Sequence, residues 1–483
     1  MDPLAILMKL SEALDERAKA VAEADAWYRG DHPLPEPPGN TAAATDAEAR
    51  AAFRKMAALS VTNVMAPVVD VPAARLNVEG FQFSKSPTAT DTEAWDIWRR
   101  NFLDGDSDLS QSWALRCGSA PVLLWPGADG KAEITVEDPA QVIVAYAAGA
   151  RRKRSAALKR WVDDDGRTLA TLYLPDGLYK YQSTSITTSD LIIPGLSLAH
   201  QQWEPRSVPG EAWPLPNPVG VVPMVELRAN APLAAAPFGG GVPEFAGQLN
   251  EQRKLNHTVM NMLVTLEHQA FRQRWATDWD YPTLPDGTAD KAAMVRASAA
   301  RLMVFNNEDG TTPKVGEFAQ ADFRPFLDVI EFWINTISTT SGTPPYAFTL
   351  GNMMNVAADM MARIEGIQSD KLKIHSRSFG EAWSEVMRLA LLIEGNEKAA
   401  DPVISVVWGE FDRRTATEQA NLAQIANNLG APKSSVFAMF PGVDQAEANR
   451  WAVAAIADDL RAAALTPTAA APAPPAVEAP VAP

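Results

Sequence analysis

The stretch EFAGQLNEQRKLNHTVMNMLVTLEHQAFRQRW occupies residues 244–275, contains no proline and has one glycine, Gly247, near its start. An unbroken helix of this length would extend for roughly 48 Å, about three times the average helix. The pattern therefore predicts a rod that needs partners along its whole length, from this chain or from others. Its apolar residues recur at the spacing of one helix face: Phe245, Leu249, Leu255, Val259, Leu263, Leu266 and Ala270.

Two further helical patterns follow this rod. The second is predicted to begin at Asp322 as N-cap, with Pro325 tolerated in the first turn, and to run to residue 338. The third covers residues 356–393 and contains Gly366 and Gly380 as candidate bends. Between the first two rods lies an irregular insert, residues 276–321, and between the last two lies the uncharged loop TTSGTPPYAFTLGNMMN, residues 339–355. A loop of this length usually has a function or is disordered.

The rest of the chain alternates between helical and strand patterns. An N-terminal amphipathic helix is predicted from Leu4, Leu7, Met8, Leu10 and Leu14, and strands and hairpins from residues 120–230, with one turn at Asp164–Gly166. A strand is expected over residues 402–411, and a small helical domain over residues 415–465. A helix over residues 91–103 should bury one face: Trp95, Trp98 and Phe102. The predicted fold class is α+β, mostly helical.

Composition excludes several kinds of protein. The 483 residues carry a net charge of −16, which argues against a protein that grips DNA with a basic face but not against one that guides it. No apolar run approaches the ~18 residues that would cross a bilayer, so we expect a soluble, non-secreted protein. The single cysteine, Cys117, cannot form an intrachain disulfide and is expected to be an inert core residue. The Ala/Pro-rich residues 466–483 predict a disordered tail.

The order of these parts resembles the portal proteins (head-to-tail connectors) of tailed bacteriophages. The similarity is to the siphovirus type, especially in phages of actinobacteria, and covers nearly all of residues 5–460. No single piece is a chemical signature, but the pieces occur together in this order and at these spacings. The stretches that carry it include WYRGDHPL (27–34), NVMAPVVDVPAARLNVEGF (63–81), NPVGVVPMVEL (217–227), TTSGTPPYAFTLGN (339–352) and FGEAWSEVMRLA (379–390).

The resemblance implies a portal-type architecture with a wing, a stem, a clip and a crown. Residues 1–243 would form the wing, to which the long helix and return strand, 356–411, also belong. The remaining parts would be the stem helix 244–275, the clip 276–321, the second stem helix 322–338, the tunnel loop 339–355, the crown 412–465 and the tail 466–483.

The resemblance also implies a function without catalysis. Such proteins form a ring, dodecameric in the virion, at one capsid vertex, through which double-stranded DNA is packaged and ejected. The implied partners are other copies of the chain, the major capsid and scaffold proteins, the terminase large subunit and a head-completion or adaptor protein. The implied location is the virion, with the host cytoplasm during assembly, and no membrane or cofactor is involved.

The resemblance and residue type together suggest two sets of site residues. The loop contains glycines and a proline pair that would form a semi-rigid contact with DNA through backbone and polar groups. The clip contains large apolar residues of the kind enriched at protein interfaces. The DNA-channel candidates are Ser341, Gly342, Thr343, Pro344, Pro345, Tyr346, Thr349, Gly351 and Asn352. The partner-binding candidates in the clip are Trp279, Tyr281 and Leu284.

Other interpretations stay open at this point. The triplet 163–165, three aspartates, could bind a hard cation, but a solvated hairpin turn before Gly166 is favoured. The basic run 151–154 could contact nucleic acid, capsid or scaffold proteins, although a solvated loop is favoured. No P-loop, dinucleotide fingerprint or nucleophile elbow occurs. The alternatives to a portal protein are a carboxylate-based soluble hydrolase and a monomeric scaffold or adaptor protein.

Overall fold

The computed structural model describes most of the chain in two units, Met1–Phe411 and Asp412–Pro483. Each unit is considered by itself below. The clip candidates Trp279, Tyr281 and Leu284 lie outside the described residues, as do Thr349, Gly351, Asn352 and the tail 466–483. The described residues are 2–36, 46–84, 90–186, 201–232, 238–270, 274–277, 302–305, 314–317, 322–348, 358–411, 416–440, 443 and 445–465.

The described helices and strands of the first unit follow one another in mixed order, and that mixture confirms the α+β class. Its helices are α1 (Pro3–Arg29), α2 (Ala47–Leu59), α3 (Met65–Ala73), α4 (Thr92–Arg100), α5 (Leu103–Cys117), α6 (Leu249–Ala270), α7 (Arg324–Ser341) and α8 (Ala358–Ile393). Its strands are β1 (Val78–Phe83), β2 (Ser119–Pro126), β3 (Ala132–Val136), β4 (Val142–Ala147), β5 (Ala150–Val162), β6 (Arg167–Tyr173), β7 (Gly177–Ile186), β8 (Trp203–Pro205), β9 (Leu215–Pro216), β10 (Met224–Arg228), β11 (Arg274–Thr277), β12 (Leu302–Phe305), β13 (Lys314–Glu317) and β14 (Ile404–Trp408).

Helix α1 is capped at both ends. The Asp2 carboxylate accepts the N–H of Leu4, and Gly30 ends the helix with a left-handed φ of 89°. Leu7, Leu10 and Leu14 are buried against the six-stranded sheet, which confirms the core of the predicted apolar face. Met8 is exposed, so the stripe is narrower than the spacing suggested.

The sheets of the first unit are antiparallel except in one small sheet. The largest has the order β4-β5-β6-β7-β8, with β9 paired to β7, and its β5–β6 hairpin turns at residues 163–166 as predicted. Strands β10, β2 and β3 form a second sheet. Strand β1 pairs with β14, although the two strands are far apart in the sequence. The basic run 151–154 lies within β5, so its prediction as a solvated loop was wrong.

The main core of the first unit contains a cluster of aromatic rings among its aliphatic side chains. Trp98 of α4 and Trp383 of α8 are fully buried, with ring centroids 4.9 Å apart and nearly perpendicular planes. Phe102, predicted on the same face as Trp98, is 81% exposed and has a left-handed φ of 56°. The helix ends at Arg100, so the spacing argument fails there because its last predicted turn does not exist.

The long helices differ in length from their predictions. Helix α6 is preceded by a 3-10 turn, Ala246–Gln248, and ends at Ala270, while residues 274–277 form β11. The predicted helix to residue 275 was therefore too long. Strand β11 pairs in parallel with β12 and antiparallel with β13, and both of these partner strands lie within the insert. Helix α8 runs unbroken for 36 residues.

Helices α6 and α7 pack against each other. Helix α7 begins two residues after Asp322, whose carboxylate accepts the N–H of Arg324 at 2.9 Å. Ile337 near its end is fully buried in the main core. In α8, Gly380 lies against β14, where an added Cβ would come 3.3 Å from the Trp408 indole nitrogen. The predicted strand 402–411 is confirmed by β14.

The second unit contains three described helices. They are α9 (Ala416–Asn428), α10 (Lys433–Phe437) and α11 (Gln445–Leu465), in agreement with the predicted helical domain. Its buried residues are small, and the Phe437 and Trp451 rings meet edge-on at 5.9 Å.

Within the described ranges, no helix combines the length and the apolar character needed to cross a membrane.

Candidate functional site

The first part of the uncharged loop is an ordered helix ending. Gly342 takes a left-handed φ of 67° after the last residue of α7, a conformation that glycine adopts without strain. The Ser338 hydroxyl donates to the Thr343 carbonyl at 2.7 Å, and the Thr343 N–H donates to the Ser341 hydroxyl at 3.2 Å. These hydroxyl groups satisfy backbone groups that the helix end leaves without partners. The loop therefore leaves α7 in a defined direction.

The proline pair continues this order. Pro344 is extended, with φ −58° and ψ 140°, and a 3-10 turn follows at Pro345–Ala347. The N–H groups of Ala347 and Phe348 each donate at 3.0 Å to the carbonyls of the two prolines. Phe348 then packs against the main core. Because proline restricts φ and the turn is hydrogen-bonded, residues 342–348 form a semi-rigid segment.

A polar triad holds this turn to the body of the unit. The Arg75 guanidinium, just after α3, pairs with Glu365 of α8 at 2.8 Å and donates to the Tyr346 hydroxyl at 3.1 Å. The Tyr346 hydroxyl in turn donates to Glu365. Burial raises the pKa of Tyr346, and its bond to Glu365 raises it further. Tyr346 is therefore held as a neutral donor between a cation and an anion.

A second, more deeply buried cluster lies at the end of α7. Lys371 of α8 donates to the Ser341 carbonyl and also pairs with the carboxylate of Glu244, just before α6. His375 Nε2 lies 3.1 Å from the Glu244 carboxylate, and the Asn230 amide donates to the same carboxylate at 2.6 Å. Burial alone would raise the pKa of Glu244, but its contacts with His375 and Lys371 lower that pKa to about 2.

Together the two clusters give the uncharged loop charged supports. Lys371 of α8 links the segment before α6 to the end of α7 through one ammonium group. Arg75 and Glu365 hold the following turn at Tyr346. The residues that form these ion pairs lie outside the segment and position it through hydrogen bonds. The loop itself contains no charged residue, while its base is held by electrostatic contacts.

The structure brings six of the nine predicted channel residues together in this segment. Ser341, Thr343 and Pro344 are buried, so their side chains pack inward. Gly342, Pro345 and Tyr346 are partly exposed. The supporting residues Arg75, Glu244, Glu365, Lys371 and His375 were absent from the prediction, because they come from distant segments and follow no local spacing.

The buried start of α6 carries another network that the sequence did not reveal. The Gln252 amide donates to the Thr62 carbonyl at 2.5 Å and its oxygen accepts the N–H of Val64 at 3.2 Å. The Asn256 amide nitrogen lies 3.1 Å from His32 Nδ1. Burial lowers the pKa of His32. These contacts fix α6 to the N-terminal segment.

Among the described residues, no three histidine, cysteine or carboxylate side chains lie close enough together to hold a metal ion. The Asp163 carboxylate accepts the N–H groups of Asp165 and Arg167, as a hairpin turn requires. Cys117 is partly buried and packs against the main core, and burial raises the pKa of its thiol to about 12. At neutral pH this cysteine is therefore a thiol and a poor metal ligand.

Comparison with known proteins adds the family. The chain is 23% identical over 443 residues to the portal protein of Mycobacterium phage L5, covering 87% of this chain and 82% of that protein. It is 23% identical over 374 residues to the portal protein of Mycobacterium phage D29, covering 74% and 70%. The model of the phage portal protein family, SPP1 Gp6-like, matches residues 7–459. This chain therefore belongs to the SPP1 Gp6-like family of phage portal proteins.

Proposed function

We propose that this portal protein is a non-enzymatic subunit of a ring, dodecameric in the virion, at one capsid vertex. The ring conducts double-stranded DNA during packaging and ejection. The observation that carries the proposal is the docking of residues 341–346, which places an uncharged segment on charged supports at the end of α7. A loop that lines a conduit needs a rigid base and a surface that binds the polyanion weakly.

The parts of the fold are assigned as follows. The wing comprises residues 1–243 and 356–411, the stem 244–275 and 322–338, the clip 276–321, the tunnel loop 339–355 and the crown 412–465. The packing of α6 against α7 supports the stem, and the separate sheet of β11, β12 and β13 supports the clip. The division of the chain after Phe411 supports the crown.

Contacts between subunits account for apolar side chains that the single chain leaves open. Leu327 and Phe332 of α7, and Ile367 and Ile374 of α8, are each more than half exposed. In a closed ring every subunit contributes two different faces, so apolar residues on both helices can pack against neighbours. Residues of this type would cost solubility in a monomer.

The remaining partners are assigned to the outer parts of the ring. We assign terminase large-subunit and head-completion or adaptor contacts to the clip, with Trp279, Tyr281 and Leu284 as the contact residues. Major capsid and scaffold proteins are assigned to the wing. The protein acts in the virion, after assembly in the host cytoplasm.

The loop is tested by deleting residues 349–352, which leaves the anchored segment 341–348 intact. We expect rings to assemble, as seen by electron microscopy and native mass measurement, while DNA packaging or retention falls. A matched deletion of residues 164–165, in the β5–β6 turn, should leave both assembly and packaging unchanged. Loss of rings after the loop deletion would assign the loop to assembly, and unchanged packaging would remove its role in the conduit.

A further inference from the structure

A cleft of about 710 Å³ lies in the first unit beside the C-terminal half of α8. One wall is formed by α8 from Ser376 to Arg388, and the others by β5, β10 and β14. Arg377 lies 12 positions after Glu365 on the same helix, roughly 18 Å along its axis. The cleft is thus separate from the anchored loop, and nothing in the proposed DNA conduit uses it.

The cleft concentrates positive charge in an acidic chain. Five arginines line it against three glutamates, although the whole chain carries a net charge of −16. The basic run within β5 contributes two of the five. The arginines are Arg152, Arg154, Arg228, Arg377 and Arg388.

The glutamates of the cleft are already engaged. Glu226 has a fully buried side chain and pairs at 2.7 Å with Arg17, which lies outside the cleft. Glu385 is held by Arg154 at 2.7 Å and Arg388 at 2.6 Å. The positive surplus is therefore larger than the count of lining residues suggests, because the charge of Glu226 is neutralised by Arg17, which is not part of the cleft wall.

Two arginines are open to an incoming group. Arg152 is highly exposed, and its pair with the equally exposed Glu381 spans 3.2 Å, a contact that contributes little in water. Arg377 is exposed, and within the described part of the chain it has no carboxylate partner. The cleft wall also contains Arg228, whose guanidinium lies 4.9 Å from the centre of the Tyr146 ring and whose carbonyl accepts the Ser378 hydroxyl at 2.8 Å. These guanidinium groups can bind carboxylates with paired hydrogen bonds.

Strand edges line the same cleft. Among the described strands, β14 pairs only with β1, and β10 pairs only with β2. Residues 402–406 and 225–226 of these edge segments belong to the cleft wall, with the exposed apolar side chain of Val403 among them. An extended peptide can add to such an edge through backbone hydrogen bonds, while its alternate side chains enter the cleft.

We propose that this cleft binds an extended acidic peptide segment of another protein. Carboxylates of the segment pair with Arg152 and Arg377, and its backbone pairs with an edge of β14 or β10. A peptide fits better than nucleic acid because the exposed Glu381 would repel a continuous row of phosphates, whereas the spaced carboxylates of a peptide can lie on either side of it. The apolar and main-chain surfaces of the wall also offer a peptide contacts that a sugar–phosphate backbone cannot use.

The test uses the assembled full-length protein and a fluorescein-labelled peptide of alternating valine and glutamate, followed by fluorescence anisotropy. The double variant Arg152→Glu/Arg377→Glu should weaken binding at least tenfold relative to the unaltered protein, since about 1.4 kcal/mol corresponds to a factor of ten. The control Arg461→Glu changes an arginine that is 79% exposed in the second unit. It should leave the affinity unchanged.

The proposal would be overturned if the valine–glutamate peptide did not bind the unaltered protein, or if it bound the double variant equally well. It would also be overturned if a matched valine–glutamine peptide bound the unaltered protein with the same affinity. Loss of rings in the double variant would assign the cleft to contacts between subunits instead. A short DNA duplex is measured in parallel. If the duplex binds and the acidic peptide does not, the cleft is a nucleic-acid site.

Discussion

The ammonium group of Lys371 pairs with the carboxylate of Glu244, whose side chain is only 2% exposed. The same ammonium group donates to the carbonyl of Ser341, the last residue of α7. One side chain of α8 therefore connects the segment that precedes α6 with the end of α7. A buried carboxylate is stable only while such partners remain, because burial without them strongly favours the protonated form.

Acid should weaken the fold through Glu244. Its pKa is lowered from 4.5 to about 2 in the folded chain, so between these values the unfolded chain binds a proton that the folded chain does not. The stabilisation is complete above about pH 5 and is lost as the pH falls toward 2; it amounts to about 3 kcal/mol. Urea unfolding of the Glu244→Gln variant should show a shallower pH dependence over this window. An unchanged slope would contradict the assigned ion pairs.

Lys371→Met should destabilise the first unit by about 3 kcal/mol, because it removes the ammonium group and leaves the buried Glu244 carboxylate with His375 and the neutral Asn230 amide. The matched control is Lys373→Met, two positions along the same helix, whose pair with Asp370 is exposed. We expect that variant to change stability by less than about 0.5 kcal/mol. Denaturant midpoints of the two variants provide the comparison, and equal midpoints would show that Lys371 is not a connecting residue.

Tyr346→Phe should loosen the loop base without unfolding the unit. The change removes the hydroxyl that donates to Glu365 and accepts from Arg75, at an expected cost of about 1 kcal/mol. Amide hydrogen exchange should increase in residues 342–348 while the exchange of α1 stays the same. Equal exchange in the loop base would mean that the proline pair holds the segment without the triad. The control is Tyr179→Phe, which removes a surface hydroxyl that lies 3.4 Å from Asp176.

Local patterns predicted much of the fold. Apolar spacing identified α1 and the three long helices, because a helix that buries one face must repeat near 3.6 residues. The Asp–Gly turn before Gly166 identified the β5–β6 hairpin, because that turn needs a residue that tolerates positive φ. Both patterns are local in the sequence, so a single sequence was sufficient to predict these elements.

The failures have specific causes. Asn101 ends α4 early because its side chain bonds to β3, accepting the N–H of Ile134 at 2.9 Å and donating to the Ala132 carbonyl at 3.1 Å. That tertiary contact overrides the helical spacing that included Phe102. The residues that support the loop were not predicted for a related reason. Arg75 and Glu365 are 290 positions apart in the sequence, and only the folded chain brings them together.

Glycines 366 and 380 of α8 should respond oppositely to substitution. A Cβ at Gly366 would meet nothing within 4 Å, so Gly366→Ala should stabilise the helix by about 0.5–1 kcal/mol. At Gly380 the new Cβ would lie 3.3 Å from the Trp408 indole, and the packing of α8 on β14 must give way. We expect Gly380→Ala to lose that gain or to destabilise the unit. Thermal unfolding distinguishes the two, and equal stabilisation would contradict the close approach.

Trp98 and Phe102 form the final matched pair. Trp98→Ala removes a fully buried ring that contacts Trp383, and should cost about 3–5 kcal/mol. Phe102 is exposed and has positive φ, so Phe102→Gly removes backbone strain without opening a cavity. That change should be neutral or stabilise the unit by up to about 1 kcal/mol. If Phe102→Gly instead destabilised the assembled ring but not the isolated chain, the exposed ring would be buried between subunits, and its strained conformation would then serve assembly.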